Sequence, residues 1–292
     1  IKHWDQTISP MYKAIEPIGE SKSDYAIFSE IATKLNFKDK FTEGKDEDKW
    51  LRFIWDEARS KAKDEGFSLP EFDKFWKNGF QEVLSPKKQT ILLEKFRIDP
   101  EKNPISTPSG KIEIFSETVD SFNYEDCPGH PAWLEQEEWL GSNLTKQYPL
   151  QLISGQPHNR LHSQLDNGSE SQNYKILGRE PIKIHPQDAQ TRRLVDGDIV
   201  EVFNKRGKCL AGVIISNEVM KGIVFLPVGA WYDPINDGEF CIHGNPNVLT
   251  EDIGTSSLAQ GPSAHSTLVE IKKYTKELPE INIFHKPNIV NK

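Results

Sequence analysis

The stretch LVDGDIVEVFNKRG, Leu194 to Gly207, decides the fold. Asp196-Gly197 marks a turn that needs a positive φ, which glycine adopts without steric cost. Ile199, Val200, Val202 and Phe203 then build a strand, and Lys205-Arg206-Gly207 closes a hairpin into the next one. Working outward, short apolar runs bounded by turn residues recur at Pro149 to Ser154, Pro181 to His185, Asp198 to Asn204, Lys208 to Asn217, Ile223 to Val228 and Thr267 to Lys272. One short helix fits Asp188 to Leu194. Several short strands with turn signals between them predict a sandwich or a small closed barrel.

Upstream the period changes. Ser23 can cap a helix whose apolar positions Tyr25, Phe28, Ile31, Ala32 and Leu35 follow the 3.6 repeat. A second helix carries Leu51, Ile54, Trp55, Ala58 and Ala62 on one face and stops at Gly66. A third, with Pro70 in its first turn and Gly79 after it, presents Phe72, Phe75 and Trp76, a stripe that reads as core packing. TPSGKIEIFSE, Thr107 to Glu117, predicts a turn and a strand alternating Ile112 and Ile114 with Lys111 and Glu113. DCPGHPAW, Asp126 to Trp133, holds too much Pro and Gly for a helix interior and reads as a connector laid over a surface.

Composition narrows the function classes. Of 292 residues, 36% are apolar and 10% aromatic, enough for a core and against disorder. No apolar run approaches the roughly 20 residues of a membrane span. Lys and Arg number 36 against 44 Asp and Glu, and residues 1–150 hold 21 of the basic and 28 of the acidic ones. The first half is therefore acidic and the second nearly neutral, which argues against nucleic acid as a partner. Cys127, Cys209 and Cys241 form neither a CxxC pair nor a disulfide framework. The start, Ile1-Lys2-His3-Trp4, reads like the middle of a longer protein.

Two polar segments interrupt the β half. GQPHNRLHSQLDNG, Gly155 to Gly168, follows a strand, and with Ser154 it offers Gln156, His158, Asn159, Arg160, His162, Ser163 and Gln164. Such a set suits phosphate and heterocycle recognition, since guanidinium is a fork of charged donors and amides read ring edges. A surface loop holding an Arg–carboxylate pair explains the composition equally well. CIHGNPNVLTEDIGTSSLAQG, Cys241 to Gly261, places Asn245, Asn247, Ser256, Ser257 and Gln260 on an irregular backbone, and its Val248, Leu249 and Ile253 argue against disorder. His158 and His162 are four apart, but Pro157 breaks the helix that a shared metal would need, and no third ligand sits at a telling distance. No Gly-x-Ser-x-Gly elbow or glycine-rich dinucleotide fingerprint is present, which disfavours a hydrolase or a small dehydrogenase. His185 and His265 read as structural. Trp231 and Tyr232 either line a funnel or form an aromatic wedge.

GQPHNRLHSQLDN, LVDGDIVEVFNKRG, GAWYDP (Gly229 to Pro234), HGNPNVLT (His243 to Thr250) and SLAQG (Ser257 to Gly261), followed by a closing strand, occur here in one order. IEPIGESKSDYAIF, TPSGKIEIFSE and DCPGHPAW precede them. Together they resemble the C-terminal part of the molybdopterin oxidoreductases of the dimethyl sulfoxide reductase family, in the branch of trimethylamine N-oxide and biotin or methionine sulfoxide reductases. The resemblance implies an α/β fragment followed by an all-β six-stranded double-psi barrel. Residues 1–145 would end a discontinuous α/β domain, 146–275 would be the molydopterin-dinucleotide-binding barrel, and 276–292 a C-terminal tail.

The same resemblance implies a bis(molybdopterin guanine dinucleotide) molybdenum cofactor and oxygen-atom transfer from a small N-oxide or S-oxide. It also implies a missing N-terminal part, a c-type cytochrome as electron donor, and a periplasmic setting in anaerobic respiration. The serine that ligates the metal in this branch would lie upstream, so no catalytic residue and no metal ligand is assigned in this chain. Ser154, Gln156, His158, Arg160, His162, Ser163, Gln164, Asn245, Asn247 and Gln260 are its candidate cofactor-binding residues. The rival reading is a non-catalytic nucleotide- or partner-binding barrel module.

Overall fold

A computed structural model describes residues 6–83, 91–235, 238 and 240–286. The chain divides into two compact units, Ile1–Pro104 and Ile105–Lys292.

The first unit is helical. Strand β1 (Thr7–Ile8) pairs with β2 (Gln81–Glu82), and between them run α1 (Asp24–Lys34), α2 (Lys38–Thr42), α3 (Glu47–Asp64) and α4 (Phe72–Asn78), with α5 (Glu94–Ile98) following. Ser23 caps α1 by accepting from the Ala26 amide, as its sequence predicts. Asp46 does the same for α3 through Lys49, and Gly79 ends α4 in the left-handed region. Pro70 lies just before α4 rather than in its first turn, since Glu71 is the N-cap, and the Pro70 carbonyl accepts from the Trp55 indole. Trp55 stacks on Phe75 with centroids 3.8 Å apart, and Phe72 joins them as the core. Phe28, Ile31, Leu35, Leu51 and Ile54 keep the predicted spacing but remain exposed.

The second unit holds the barrel. Short helix α6 (Glu117–Asp120) precedes β3 (Leu150–Ile153), α7 (Ser169–Asn173), β4 (Pro181–Ile184) and α8 (Pro186–Thr191). Strands β5 (Ile199–Phe203), β6 (Lys208–Ile215), β7 (Ile223–Phe225), β8 (Pro234–Ile235), β9 (Phe240–Cys241) and β10 (Leu268–Lys273) follow. The sheet runs β4-β7-β3-β10-β5-β6, and β4 pairs again with β6. That last pairing closes a six-stranded mixed barrel, the double-psi arrangement that the resemblance implies. Strands β9 and β8 extend from β6, whose outer edge serves β9 at Lys208 and Cys209 and β4 from Gly212 onward. Every barrel strand falls where the sequence places one, and the Asp196-Gly197 turn has Gly197 at φ 83°. Leu152, Ile182, Ile184, Val200, Val202, Val224 and Val269 fill the interior at no measurable exposure. Burying that much branched apolar surface is the main force holding the ring. Cys209 and Cys241 face each other in register, free and buried.

One expected strand is absent. Residues 111–116 form bends and irregular backbone, with Ile112 and Ile114 65% and 82% exposed. Alternation makes a strand only beside a partner, and here the backbone bonds close elsewhere: Gly110 donates to Thr107, Ile105 to Gly110 and Ser116 to Gly129. The connector beyond it lies over the barrel unit, as its composition suggests. The Ser257 amide donates to Asp126 at 2.7 Å, and buried Glu138 accepts from the Leu268 amide at 2.8 Å while pairing with Arg206.

Candidate functional site

Strand β3 ends at Ile153, and the polar loop that follows turns back at a buried cluster of charges. Arg160, Asp166, Lys175 and Glu180 have side chains 1%, 0%, 1% and 3% exposed. They form a ring of alternating sign. Arg160 Nη2 lies 3.0 Å from Glu180, and the Lys175 ammonium lies 2.8 Å from both Glu180 and Asp166. Arg160 Nε closes the ring 3.7 Å from Asp166 Oδ1. Two cations against two anions leave no net charge. Burial of such groups is tolerated only when they are paired in this way.

The ring fixes the two feet of an arch, residues 161–165, all of which are exposed. Gln164 donates its amide to Leu161 at 3.0 Å, a tight turn that throws the side chains outward. His162 and Leu165 sit at φ 49° and 60°, a region costly for side-chain-bearing residues, on the order of 1–3 kcal/mol each. Such backbone persists where the surroundings fix it, and sites of recognition are where it concentrates. Gln156 buttresses the arch: its carbonyl accepts from the His162 amide at 3.0 Å, and its amide nitrogen meets His162 Nδ1 at 2.7 Å. Among the described residues, the Ser163 hydroxyl and the Gln164 side-chain amide have no hydrogen-bond partner.

The segment GAWYDP is wedged against this arch. Trp231 donates its amide to Asp166 Oδ2 at 2.9 Å and its indole to the Ser163 carbonyl at 2.7 Å, and its own carbonyl accepts from His243 Nδ1 at 2.9 Å. Arg160 donates to the Val228 carbonyl at 3.0 Å. A Cβ on Gly229, at φ 98°, would overlap the His162 carbonyl, so the backbones touch directly. Trp231 is thus held between the arch and His243, and Tyr232, 42% exposed, donates to the Gly238 carbonyl.

Near the start of the second polar segment, His243 has no exposure and packs edge-on against Phe284 at 5.0 Å. Burial first, and then Lys175, hold this imidazole below its ordinary pKa. The Nδ1 proton goes to Trp231, which leaves Nε2 buried without a partner. Asn245 donates to the Ala230 carbonyl at 2.9 Å and caps the turn by accepting from Asn247. Asn247 and Gln260 are exposed, and Gln260 donates within its own loop to Ser256.

The structure therefore brings together Gln156, Arg160, His162, Ser163, Gln164 and, through Ala230 and Trp231, Asn245. Arg160 is turned inward: its fork serves Glu180 and Val228, the Arg–carboxylate alternative that the composition allowed. Ser154 is buried with its hydroxyl unpaired, its amide donating to His265. His158 lines, with Gln156, Asn159 and Glu180, a cavity of about 400 Å³ whose apolar walls include Pro157, Tyr174, Ile214, Phe225 and Pro227. His185 caps α8, as a structural histidine would. Sequence reasoning missed Asp166, Lys175, Glu180 and His243. A signal did exist for two of them: Asp166 lies inside the polar loop, and Glu180 abuts a strand.

The donor set fits a large polar heterocyclic ligand with phosphates. Unpaired neutral donors stand at Ser163, Gln164 and Ser154, and the Asn159 amide nitrogen is buried without a partner. Among the described residues, no three His, Cys, Asp or Glu side chains are placed to hold a metal ion.

Comparison with known proteins agrees with this geometry. Residues 150–268 match the molydopterin dinucleotide binding domain. The chain is 44% identical to trimethylamine-N-oxide reductase of Haemophilus influenzae, over 97% of this chain and 35% of that protein. It is 44% identical to trimethylamine-N-oxide reductase 1 of Escherichia coli, over 96% and 34%. Against dimethyl sulfoxide/trimethylamine N-oxide reductase of Rhodobacter capsulatus the identity is 42%, over 92% and 33%. The chain thus spans about a third of the length of these relatives. Acetylene hydratase from Pelobacter acetylenicus shares the fold at a TM-score of 0.66 and 19% identity, covering 92% of this chain and 35% of that one.

Proposed function

We propose that this chain, which belongs by its sequence to the dimethyl sulfoxide reductase family of molybdopterin oxidoreductases, is the part of a molybdenum-dependent N-oxide or S-oxide reductase that holds the bis(molybdopterin guanine dinucleotide) cofactor. The observation that carries the reading is the arch at 161–165, a strained turn that exposes uncommitted donors above a buried base of balanced charge. A pyranopterin dinucleotide presents amide-like ring edges and a diphosphate. Burying them costs several kcal/mol per group unless each is paired.

His162, Ser163 and Gln164 would meet the cofactor directly, with Ser154 behind them and Gln156 holding His162 in place. Asn247 and Gln260 would supply amides from the second loop. Arg160 and Asn245 would act from beneath, Arg160 through the ion ring and Asn245 through Ala230. When bound, the molybdenum centre supplies two-electron oxygen-atom transfer. This chain's residues bind and orient the group and exclude water from it. On this reading residues 1–145 complete a discontinuous α/β domain and 146–275 are the barrel domain. The rest of the polypeptide brings the metal ligand and substrate contacts, a c-type cytochrome donates electrons, and the enzyme works in the periplasm. No helix among the described residues is long and apolar enough to cross a membrane.

The test is the full-length protein, purified and assayed for molybdenum by mass spectrometry and for guanine nucleotide released by acid. Both should be present, and the double variant His162→Ala/Gln164→Ala should lose most of both while its melting temperature stays near that of the wild type. A wild-type protein carrying neither molybdenum nor guanine nucleotide rejects the reading.

A further inference from the structure

We propose that Asp166 is the positioning residue that sets the arch, the Trp231 wedge and the His243 loop in one arrangement toward the ligand; this rests on the cofactor reading above. No part of the side chain reaches solvent. Its two oxygens serve different elements. Oδ1 takes the Lys175 ammonium at 2.8 Å and faces Arg160 Nε, and Oδ2 accepts from the Trp231 amide at 2.9 Å and lies 3.8 Å from His243 Nδ1. The Asp166 carbonyl also accepts from the Gln172 side chain at 2.6 Å, which ties α7 to the same point.

The connection runs in one line. Asp166 holds the amide of Trp231, and the carbonyl of Trp231 is held by His243. Both peptide groups of the wedge are therefore fixed by side chains from the two polar segments, one on each side. The adjoining Ala230 carbonyl is taken by Asn245. With Gly229 in direct backbone contact with His162, the wedge cannot shift without carrying the arch along. A carboxylate suits this place because one oxygen pairs with the Lys175 ammonium while the other accepts from the Trp231 amide. An amide at the same position would turn a donor toward Lys175.

The experiment compares the full-length protein with Asp166→Asn. Hydrogen exchange should rise at 161–165, 228–233 and 243–249 together, while the barrel strands at 199–203 and 208–215 keep their protection. Guanine nucleotide per chain should fall at least fivefold. Exchange that rises only at 161–165, or nucleotide content equal to that of the wild type, overturns the proposal. The charge-balanced variant Asp166→Asn/Lys175→Gln receives the same two measurements, so that a single variant failing to fold leaves the question decidable. A merely electrostatic role for Asp166 predicts that this double variant recovers wild-type nucleotide content; a positioning role predicts that it does not. If the wild type itself carries no guanine nucleotide, the cofactor reading fails, and the exchange pattern still decides whether Asp166 couples the three segments.

Discussion

Arg160 and Asp166 stand at the two ends of one exposed turn, and their side chains meet beneath it, 3.7 Å apart and out of reach of water. A loop that ends on such a pair has its span fixed from below, and Gln156 and Trp231 hold His162 and Ser163 between its ends.

Truncating Arg160 should therefore act on stability as much as on binding. Arg160→Ala leaves Glu180 paired with Lys175 alone and strips Val228 of its donor. Loss of one partner from a buried pair costs about 3–5 kcal/mol. Denaturant unfolding of the full-length protein should show a loss of that size, with reduced molybdenum content. A midpoint within error of the wild type would place the guanidinium outside the network.

Acid should loosen the site through His243. His243 is held neutral in the fold, so its folded pKa lies below that of the unfolded chain, about 6.5. As pH falls through about 6.5, the unfolded state takes up a proton that the folded state refuses, and stability drops until the folded pKa is passed. His243→Gln keeps a donor for Trp231 and cannot titrate. Its melting temperature should change less between pH 7.5 and 5.5 than that of the wild type. Parallel curves would contradict the assignment.

Two glycines with similar backbones should behave differently. Gly229 and Gly197 have φ of 98° and 83°, but only Gly229 has an atom in the way of a Cβ. Gly197→Ala should cost about 1 kcal/mol or somewhat more and leave cofactor content intact. Gly229→Ala should cost more and also displace the arch, seen as lost guanine nucleotide. Equal effects would mean the contact with His162 is not limiting.

The segment at 279–284 is tied down and should be releasable. Buried Asp233 accepts from the Asn282 and Ile283 amides at 2.7 and 3.1 Å, and Arg179 donates to the Pro279 carbonyl. Phe284 then covers Trp231 and His243. Asp233→Ala should speed limited proteolysis between residues 275 and 286 at least severalfold, with the barrel resistant. An unchanged cleavage rate would show that the two amide contacts do not hold the segment.

How much of this was legible in the sequence depends on range. Barrel strands could be read because their cues are local: alternation, turn glycines and β-branched runs at Ile199 to Phe203 or Lys208 to Ile215. The closure between Pro181 and Gly212 left no local mark. In the helical unit the pattern identified which face of α1 is apolar, through Phe28, Ile31 and Leu35, but periodicity does not say what an apolar face meets. Ile112 and Ile114 misled for the same reason, since alternation without a neighbouring strand has nothing to pair with. The polar loop was found by its composition. That Arg160 turns inward depends on Lys175 and Glu180, fifteen and twenty residues on, whose charges look like ordinary surface charges until the chain folds back. Asp233 similarly reveals its role only beside Asn282, so the residues after 275 read as a tail.

The place of β10 in the ring has a consequence for synthesis. Residues 268–273 lie between β3 and β5, strands encoded far earlier, so the cylinder stays open until the last of them has left the ribosome. A chain truncated before residue 268 would therefore keep the ion ring and the polar loops but leave β3 and β5 without the strand that joins them.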